Sequence, residues 1–422
     1  MKSIVFLGSH KSGSSYEAIR AADNMGYYTI LLTDRPSYID KRLDFPHAHS
    51  VRLCNLDDLD EIRGALERLA MEHFEIRAIV SFVDPHCRTA ALLSHEKGLK
   101  HFSISAITAM LDKAQSRALL AGSPYSPFYR VTDDAANNAK APREMPLVLK
   151  APVSTGSKDV YLAWTALEYQ KALDNLREQY PDAPILVERF VNGPQYLVET
   201  LTIDGKVHII AMIEQEISFS GRFIVTGYKI ITRTAGGCYR SLKEAAESII
   251  QLHGMRDGPC HLELRRFHNG WKLIEANPRI SGGAMNLFIE TAYGLNFAKE
   301  TLQFALGLEP DLECKHKKEA YLQYIVVPRK GTLIKVTGKS AAQKSPGVEQ
   351  VFVKSKKGSL LVPPVSMGHR YAYVIATGAS GEEAKQNAKA GAAKIKFHLR
   401  ADGEATAGVK GLDAFMSNAV YE

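Results

Sequence analysis

Over the first hundred positions, hydrophobic residues fall in short runs separated by amphipathic stretches. Ser3 to Leu7 and Tyr28 to Thr33 are apolar runs of strand length, and Tyr16 to Met25 between them carries apolar residues at helical spacing. The alternation continues with a helix at Leu56 to Phe74, a strand at Ile76 to Val83 and a helix at Thr89 to Lys97 that stops at Gly98. Strands alternating with helices predict a doubly wound parallel sheet of Rossmann-like type. Such sheets bind ligands beyond the carboxyl ends of their strands, here the loops Gly8 to Ser15, Asp34 to Tyr38 and Asp84 to Arg88. Asp84 is thereby a candidate substrate contact.

The pattern then changes. A helical stretch, ITAMLDKAQSRALLAG, leads into SPYSPFY, whose prolines suit a hinge. Pro146 to Ala163 and Ile185 to Ile213 are rich in Val, Ile and Leu with Gly turns and predict antiparallel hairpins, with a helix at Ala166 to Gln179 between them. A helix is expected around Leu287 to Leu306. Strands follow at Tyr321 to Val327, Thr332 to Thr337, Val348 to Lys354 and Tyr371 to Thr377, then a helix at Glu382 to Leu399. These changes divide the chain into an α/β domain at 1–105, an α+β domain at 106–310 with a small lid at about 124–190, and an α+β cap at 311–422.

Composition narrows the function. With 422 residues, several domains are expected, and 45% hydrophobic with 23% charged residues is ordinary for a globular chain. A net charge of +7, spread along the sequence, gives little support to nucleic-acid binding and none is expected. Cys54, Cys87, Cys238, Cys260 and Cys314 are odd in number and lack CxxC spacing, so neither a disulfide framework nor a zinc site is expected. No run is long enough for a membrane span and no signal-peptide core is present, so a cytoplasmic location is expected.

Cys260 to Gly283 carries the most chemistry. A three-residue turn at His268, Asn269 and Gly270, with Gly in the left-handed position, pairs Glu263 with Glu275 and His261 with Asn277. Alternation then puts Glu263, Glu275 and Asn277 on one face and Leu262, Leu264, Ile274 and Ala276 on the other. Opposed carboxylates repel unless a cation lies between them or water screens them. Oxygen donors alone suit Mg²⁺ or Mn²⁺, and Mg²⁺ commonly completes its shell with nucleotide phosphates.

Glu263, followed by Glu275-Ala-Asn277-Pro-Arg279 and Gly282-Gly283, resembles the metal-binding signature of ATP-grasp carboxylate–amine ligases. The resemblance implies an ATP-grasp fold, with ATP and Mg²⁺ (or Mn²⁺) as cofactors. It places metal ligands at Glu263, Glu275 and Asn277 and a phosphate-facing cation at Arg279, with Gly282 near the substrate. LDKAQSRALLAG and PLVLKAP resemble the segments whose lysines, here Lys113 and Lys150, reach the nucleotide. Ser154, Thr155, Gly156 and Ser157 resemble the family's small-residue phosphate loop, whose N–H groups can approach phosphate closely. LVERFVNGPQYLVE resembles the adenine hinge: Glu188 near the base amino group, the backbone at Phe190 and Val191 pairing with the ring, and Gln195 standing where many members carry an acid for the ribose. GTLIKVTG, SPGVEQVFV and GHRYAYVIATG resemble the cap of biotin-carboxylase-like and L-amino acid ligase branches, the latter nearer.

The resemblance implies an enzyme that activates a carboxylate as acyl phosphate and joins it to an amine, with amino acids as substrates, a dipeptide as product and a homodimeric assembly. Bicarbonate- or purine-type ligation and a nucleotide sensor without turnover are the alternatives. Gly8 to Ser15 fits neither GxGxxG nor Walker A, because Ser14 stands where Walker A requires Lys. The histidines, His261 included, lack metal-ligand spacing. Glu214 and Glu216 share a strand face and are candidate contacts for a substrate ammonium, although an exposed edge explains them equally.

Overall fold

The computed structural model describes residues 1–132, 144–151, 159–219, 223–232, 236–268 and 270–401. Ser154, Thr155, Gly156 and Ser157, the expected phosphate loop, lie outside them. Described residues of Met1–Thr155, Asp159–Gln215 and Ile230–Glu319 form one compact unit; those of Glu216–Lys229 and Ala320–Glu422 form a second.

The first unit opens with β1 (Lys2–Leu7), α1 (Ser14–Asn24), β2 (Tyr28–Thr33), α2 (Pro36–Asp40), β3 (Ser50–Leu53), α3 (Leu59–Met71), β4 (Glu75–Val80) and α4 (Asp84–Glu96). The strands are all parallel in the order β3-β2-β1-β4. Their apolar runs are buried because helices cover the sheet, as at Val5, Leu7, Ile30, Leu32 and Ile79. β3 and α2 have no counterpart in the sequence reading, since SVRL is too short and mixed to give a period.

The helical stretch after residue 103 is two helices, α5 (Ile104–Leu111) and α6 (Lys113–Leu119). Asp112 breaks it by turning extended and accepting the N–H groups of Ala114 and Gln115, so it caps α6 and fixes where Lys113 begins. The lid follows as β5 (Tyr129–Thr132), β6 (Leu147–Lys150), β7 (Val160–Ala163), α7 (Ala166–Gln179) and β8 (Ile185–Arg189), an antiparallel sheet of order β5-β8-β6-β7. A capping box of Thr165 and Glu168 starts α7, which buries Tyr169, Leu173 and Leu176 on that sheet.

Next come β9 (Gln195–Ile203), β10 (Lys206–Phe219), β11 (Phe223–Ile230), α8 (Gly236–Leu252), β12 (Gly258–Phe267), β13 (Gly270–Asn277), α9 (Met285–Tyr293) and α10 (Phe297–Ala305). Within the first unit the antiparallel order is β13-β12-β9-β10. The helix expected at Leu287 to Leu306 is divided by Gly294, at φ 67°, and restarted by the Asn296 cap.

The second unit contains β11, β14 (Glu319–Ile325), β15 (Gly331–Thr337), α11 (Lys339–Gln343), β16 (Val348–Val353), β17 (Leu360–Leu361), β18 (Ala372–Gly378), α12 (Gly381–Lys394) and β19 (Lys396–Arg400). Its strands are ordered β11-β14-β18-β16 and β17-β15-β19. The helix expected through Leu399 ends at Lys394. KFHLR alternates with period two, so Phe397 and Leu399 pack inward while the backbone pairs with β15.

Candidate active site

The site is laid out by strand register. Glu263 on β12 pairs directly with Glu275 on β13 and with Leu197 on β9, and His261 pairs with Asn277 and with Glu199. Glu263, Glu275, Asn277, His261 and Glu199 therefore share one face, while Leu262, Leu264 and Ala276 are buried on the other. The expected turn geometry is corrected: Phe267 pairs with Gly270, and His268 is the residue at positive φ, 50°. A bulge at Ile274, after the Glu263–Glu275 pair, absorbs the one-residue difference, so the carboxylates still oppose each other.

Each carboxylate has a cation beside it. Lys113, at the start of α6, lies 3.0 Å from Glu275 Oε1. Burial alone would raise the Glu275 carboxyl, but Lys113, with Lys150 and Arg279, holds it below the usual range. His261 lies between Glu199, 2.7 Å from Nδ1, and Glu263, 3.5 Å from Nε2. Burial opposes its charge, yet the two carboxylates push the imidazole up to about 10. Glu199, wholly buried, also accepts the Ser281 N–H at 3.1 Å.

The donor set passes a chemical test for magnesium. Two carboxylates and a carboxamide are hard oxygen ligands on one face, and the Asn277 side chain has no protein hydrogen-bond partner among the described residues. No cluster of three or more His, Cys, Asp or Glu suited to a metal occurs among the described residues, so these groups would need oxygens from a nucleotide and water to complete a shell.

On the lid side, the buried Glu188 carboxylate is shared by Lys150, 2.5 Å from Oε2, and by Arg117 at Oε1. Burial would raise the Glu188 carboxyl, but the two cations bring it below its ordinary value; burial lowers Lys150. Both Glu188 oxygens, expected near a base amino group, are thus engaged within the protein. In the hinge, Phe190 N–H donates to the Pro146 carbonyl at 3.0 Å and the Val191 carbonyl accepts from Arg265 at 2.9 Å. These two backbone groups are already used. Gln195, expected at the ribose, donates to Glu263 at 2.8 Å and accepts from Arg265 at 2.8 Å. Arg265 also lies over the Phe190 ring, 5.2 Å from its centroid, and so ties the hinge to Gln195 and Glu263.

Arg279 and Asp84, expected to face phosphate and substrate, meet each other: Nε and Nη2 each lie 2.5 Å from a carboxylate oxygen. Burial disfavours the Arg279 charge, but Asp84 outweighs it and raises its proton affinity. Gly282, exposed, is followed by Gly283, against which the Gly8–Ser15 loop packs: a Cβ on Gly13 would stand 2.9 Å from the Gly283 carbonyl oxygen. Glu214 and Glu216 do not join the metal face. Glu214 pairs with Tyr196, one residue off Leu197, and therefore points to the reverse side from Glu263; in the second unit Glu216 is bound by Lys385, Lys389 and Tyr321.

Sequence reasoning passed over Arg117, Glu199 and Arg265, and set His261 aside. A signal existed for two of them: Arg117 follows Lys113 by four residues on one helix face, and His261 precedes Glu263 by two on one strand face.

Residues 143–286 match the ATP-grasp domain family, and residues 323–400 match the L-amino acid ligase C-terminal domain 2. An uncharacterized protein, y4rH, of Sinorhizobium fredii is 25% identical over 391 residues, covering 90% of this chain and 79% of its own length. The L-arginine-specific L-amino acid ligase of Bacillus subtilis is 21% identical over 225 residues, 51% of this chain; the match spans 54% of that enzyme. The crystal structure of the L-amino acid ligase from Bacillus licheniformis has the same fold, with a TM-score of 0.82, 19% identity and coverage of 95% and 99% of the two chains.

Proposed function

On the premise that the chain is an ATP-grasp ligase, we propose that it couples ATP cleavage to amide formation between two amino acids through an acyl phosphate. The observation that carries the reading is the opposed Glu263–Glu275 pair with Lys113 on it and Lys150 on the lid sheet. Glu263, Glu275 and Asn277 would hold magnesium, which when bound supplies positive charge to the nucleotide phosphates.

Lys113 and Lys150 neutralise phosphate oxygens as the substrate carboxylate attacks the γ-phosphorus and the bond to ADP breaks. Arg279, oriented by Asp84, receives the acyl-phosphate oxygens. The second substrate's amine then attacks the activated carbonyl, phosphate leaves with the bonding pair, and the nitrogen loses a proton to give the amide. The match of residues 323–400 to the L-amino acid ligase C-terminal domain 2 supports amino acids over bicarbonate.

The test is phosphate release from Mg-ATP across paired amino acids, with the amide detected by mass and bicarbonate and purine intermediates as further arms. Glu275→Ala should abolish release and Mn²⁺ binding while its circular dichroism stays native. Wild-type turnover in that variant would end the assignment.

A further inference from the structure

Arg117, 1% exposed, is the largest fully buried side chain among the described residues, and the mechanism above leaves it without a role. Its contacts link three elements. The guanidinium Nε meets Glu188 on β8, and Nη2 donates to the Ile274 carbonyl on β13 at 2.7 Å. That carbonyl belongs to the bulged residue beside Glu275, so the irregularity that restores the Glu263–Glu275 register also presents an oxygen to Arg117. One turn earlier on α6, Lys113 reaches Glu275. Lys113 and Arg117 thus clasp β13 at consecutive residues from one helix face.

We infer that Arg117 is a positioning residue for the two nucleotide-facing lysines, acting on Lys150 through Glu188 and on Lys113 through the bulge carbonyl. The inference rests on the ATP-grasp reading of Lys113 and Lys150. Glu188 is one negative charge shared by two cations, Arg117 on Oε1 and Lys150 on Oε2. With Arg117 in place, part of that charge is already compensated and Lys150 keeps unspent attraction for a phosphate. Without it, Glu188 belongs to Lys150 alone, and the ammonium is held by a stronger internal ion pair that a nucleotide must weaken. The loss also frees α6 to shift along β13, so Lys113 no longer meets Glu275 at a fixed point. Arg117 itself touches no reacting atom. A lysine at 117 could supply the charge but not both donors in fixed directions, which a planar guanidinium provides.

The test uses Arg117→Met, which keeps most of the volume without the charge, and Arg117→Lys. Thermal melting establishes the folded fraction, and titration calorimetry with a non-hydrolysable ATP analogue measures affinity alongside KM and kcat. Both variants should bind the analogue about tenfold or more weakly and raise KM for ATP by a similar factor, with kcat changed less. In a Lys150→Met background, adding Arg117→Met should weaken binding much less than it does in the native chain, because part of its route is gone. An Arg117 that merely filled the core would give wild-type affinity in folded Arg117→Met, and that result overturns the inference. If Arg117→Met does not fold, wild-type affinity in Arg117→Lys overturns it equally. A native protein that binds no ATP analogue would instead overturn the ligase reading.

Discussion

Replacing Glu188 by glutamine tests the electrostatics of the lid most directly. The carboxylate is 5% exposed, and it is flanked by Lys150, 4% exposed, and by the still more buried Arg117. Glutamine keeps the shape but removes the only negative charge among the described residues in direct contact with these cations, and its NH2 group must face a donor. Breaking a buried ion pair from one side costs about 3–5 kcal/mol. The lower end is expected, because Lys150 has an escape: burial already lowers its proton affinity, and without Glu188 it can shed its proton. The sign follows from linkage. In the native protein, burial raises Glu188 but Arg117 and Lys150 depress it further, so its contribution is present above the ordinary carboxylate range and is lost as pH falls through it. In Glu188→Gln the controlling group is Lys150, held further below its unfolded value of about 10.4. Its cost grows as pH falls from there toward its folded value, so the deficit is larger at pH 7 than at pH 10. Urea unfolding followed by fluorescence suits the question, since the chain has two tryptophans, exposed Trp164 beside the lid strand β7 and buried Trp271 on β13. At a slope of about 3 kcal/mol per molar, the midpoint at pH 7 falls by about 1 M. A fall under about 0.3 M, or a larger deficit at pH 10 than at pH 7, would refute the reasoning.

Two further outcomes are expected. Gly13 has φ 84° and ψ −170°, a region essentially restricted to glycine, and its missing Cβ is what admits Gly283, so Gly13→Ala should cost about 1–3 kcal/mol in thermal or urea unfolding and raise KM for amino acids more than for ATP; an unchanged KM for both would remove this loop from the substrate side. Burial raises the Glu216 carboxyl in the second unit, but Lys385, Lys389 and Tyr321 bring it down to about 2, so its stabilisation is present above about pH 4.5 and is lost as pH falls toward 2. Protection of α12 amides, taken relative to the intrinsic exchange rate at each pH, should therefore fall between pH 4.5 and pH 2, and Glu216→Gln should flatten that dependence; equal profiles would contradict the clamp.

Local pattern and local chemistry alone determined much of this protein. Buried strands of the first sheet announce themselves as apolar runs, Ala166–Gln179 is bounded by its own cap, and the alternation within HLELRRF sets His261 and Glu263 on one face of their strand as that within KLIEAN sets Glu275 and Asn277 on one face of theirs. Those features depend on neighbours a few residues away, where periods of 2.0 and 3.6 operate. Tertiary structure decided the rest. It alone fixed the two-residue turn and compensating bulge at Ile274, because the register depends on what β12 pairs with on its other side, β9. KFHLR became a strand because β15 offers it a partner and apolar cover, although the preceding residues favour helix. Above all, burial and long-range pairing assigned the charges. Arg117, Lys150 and Glu188 look like ordinary surface residues when each is read alone, and only packing brings 71 positions of sequence separation between Arg117 and Glu188 to a single hydrogen bond in a medium where charge must be matched.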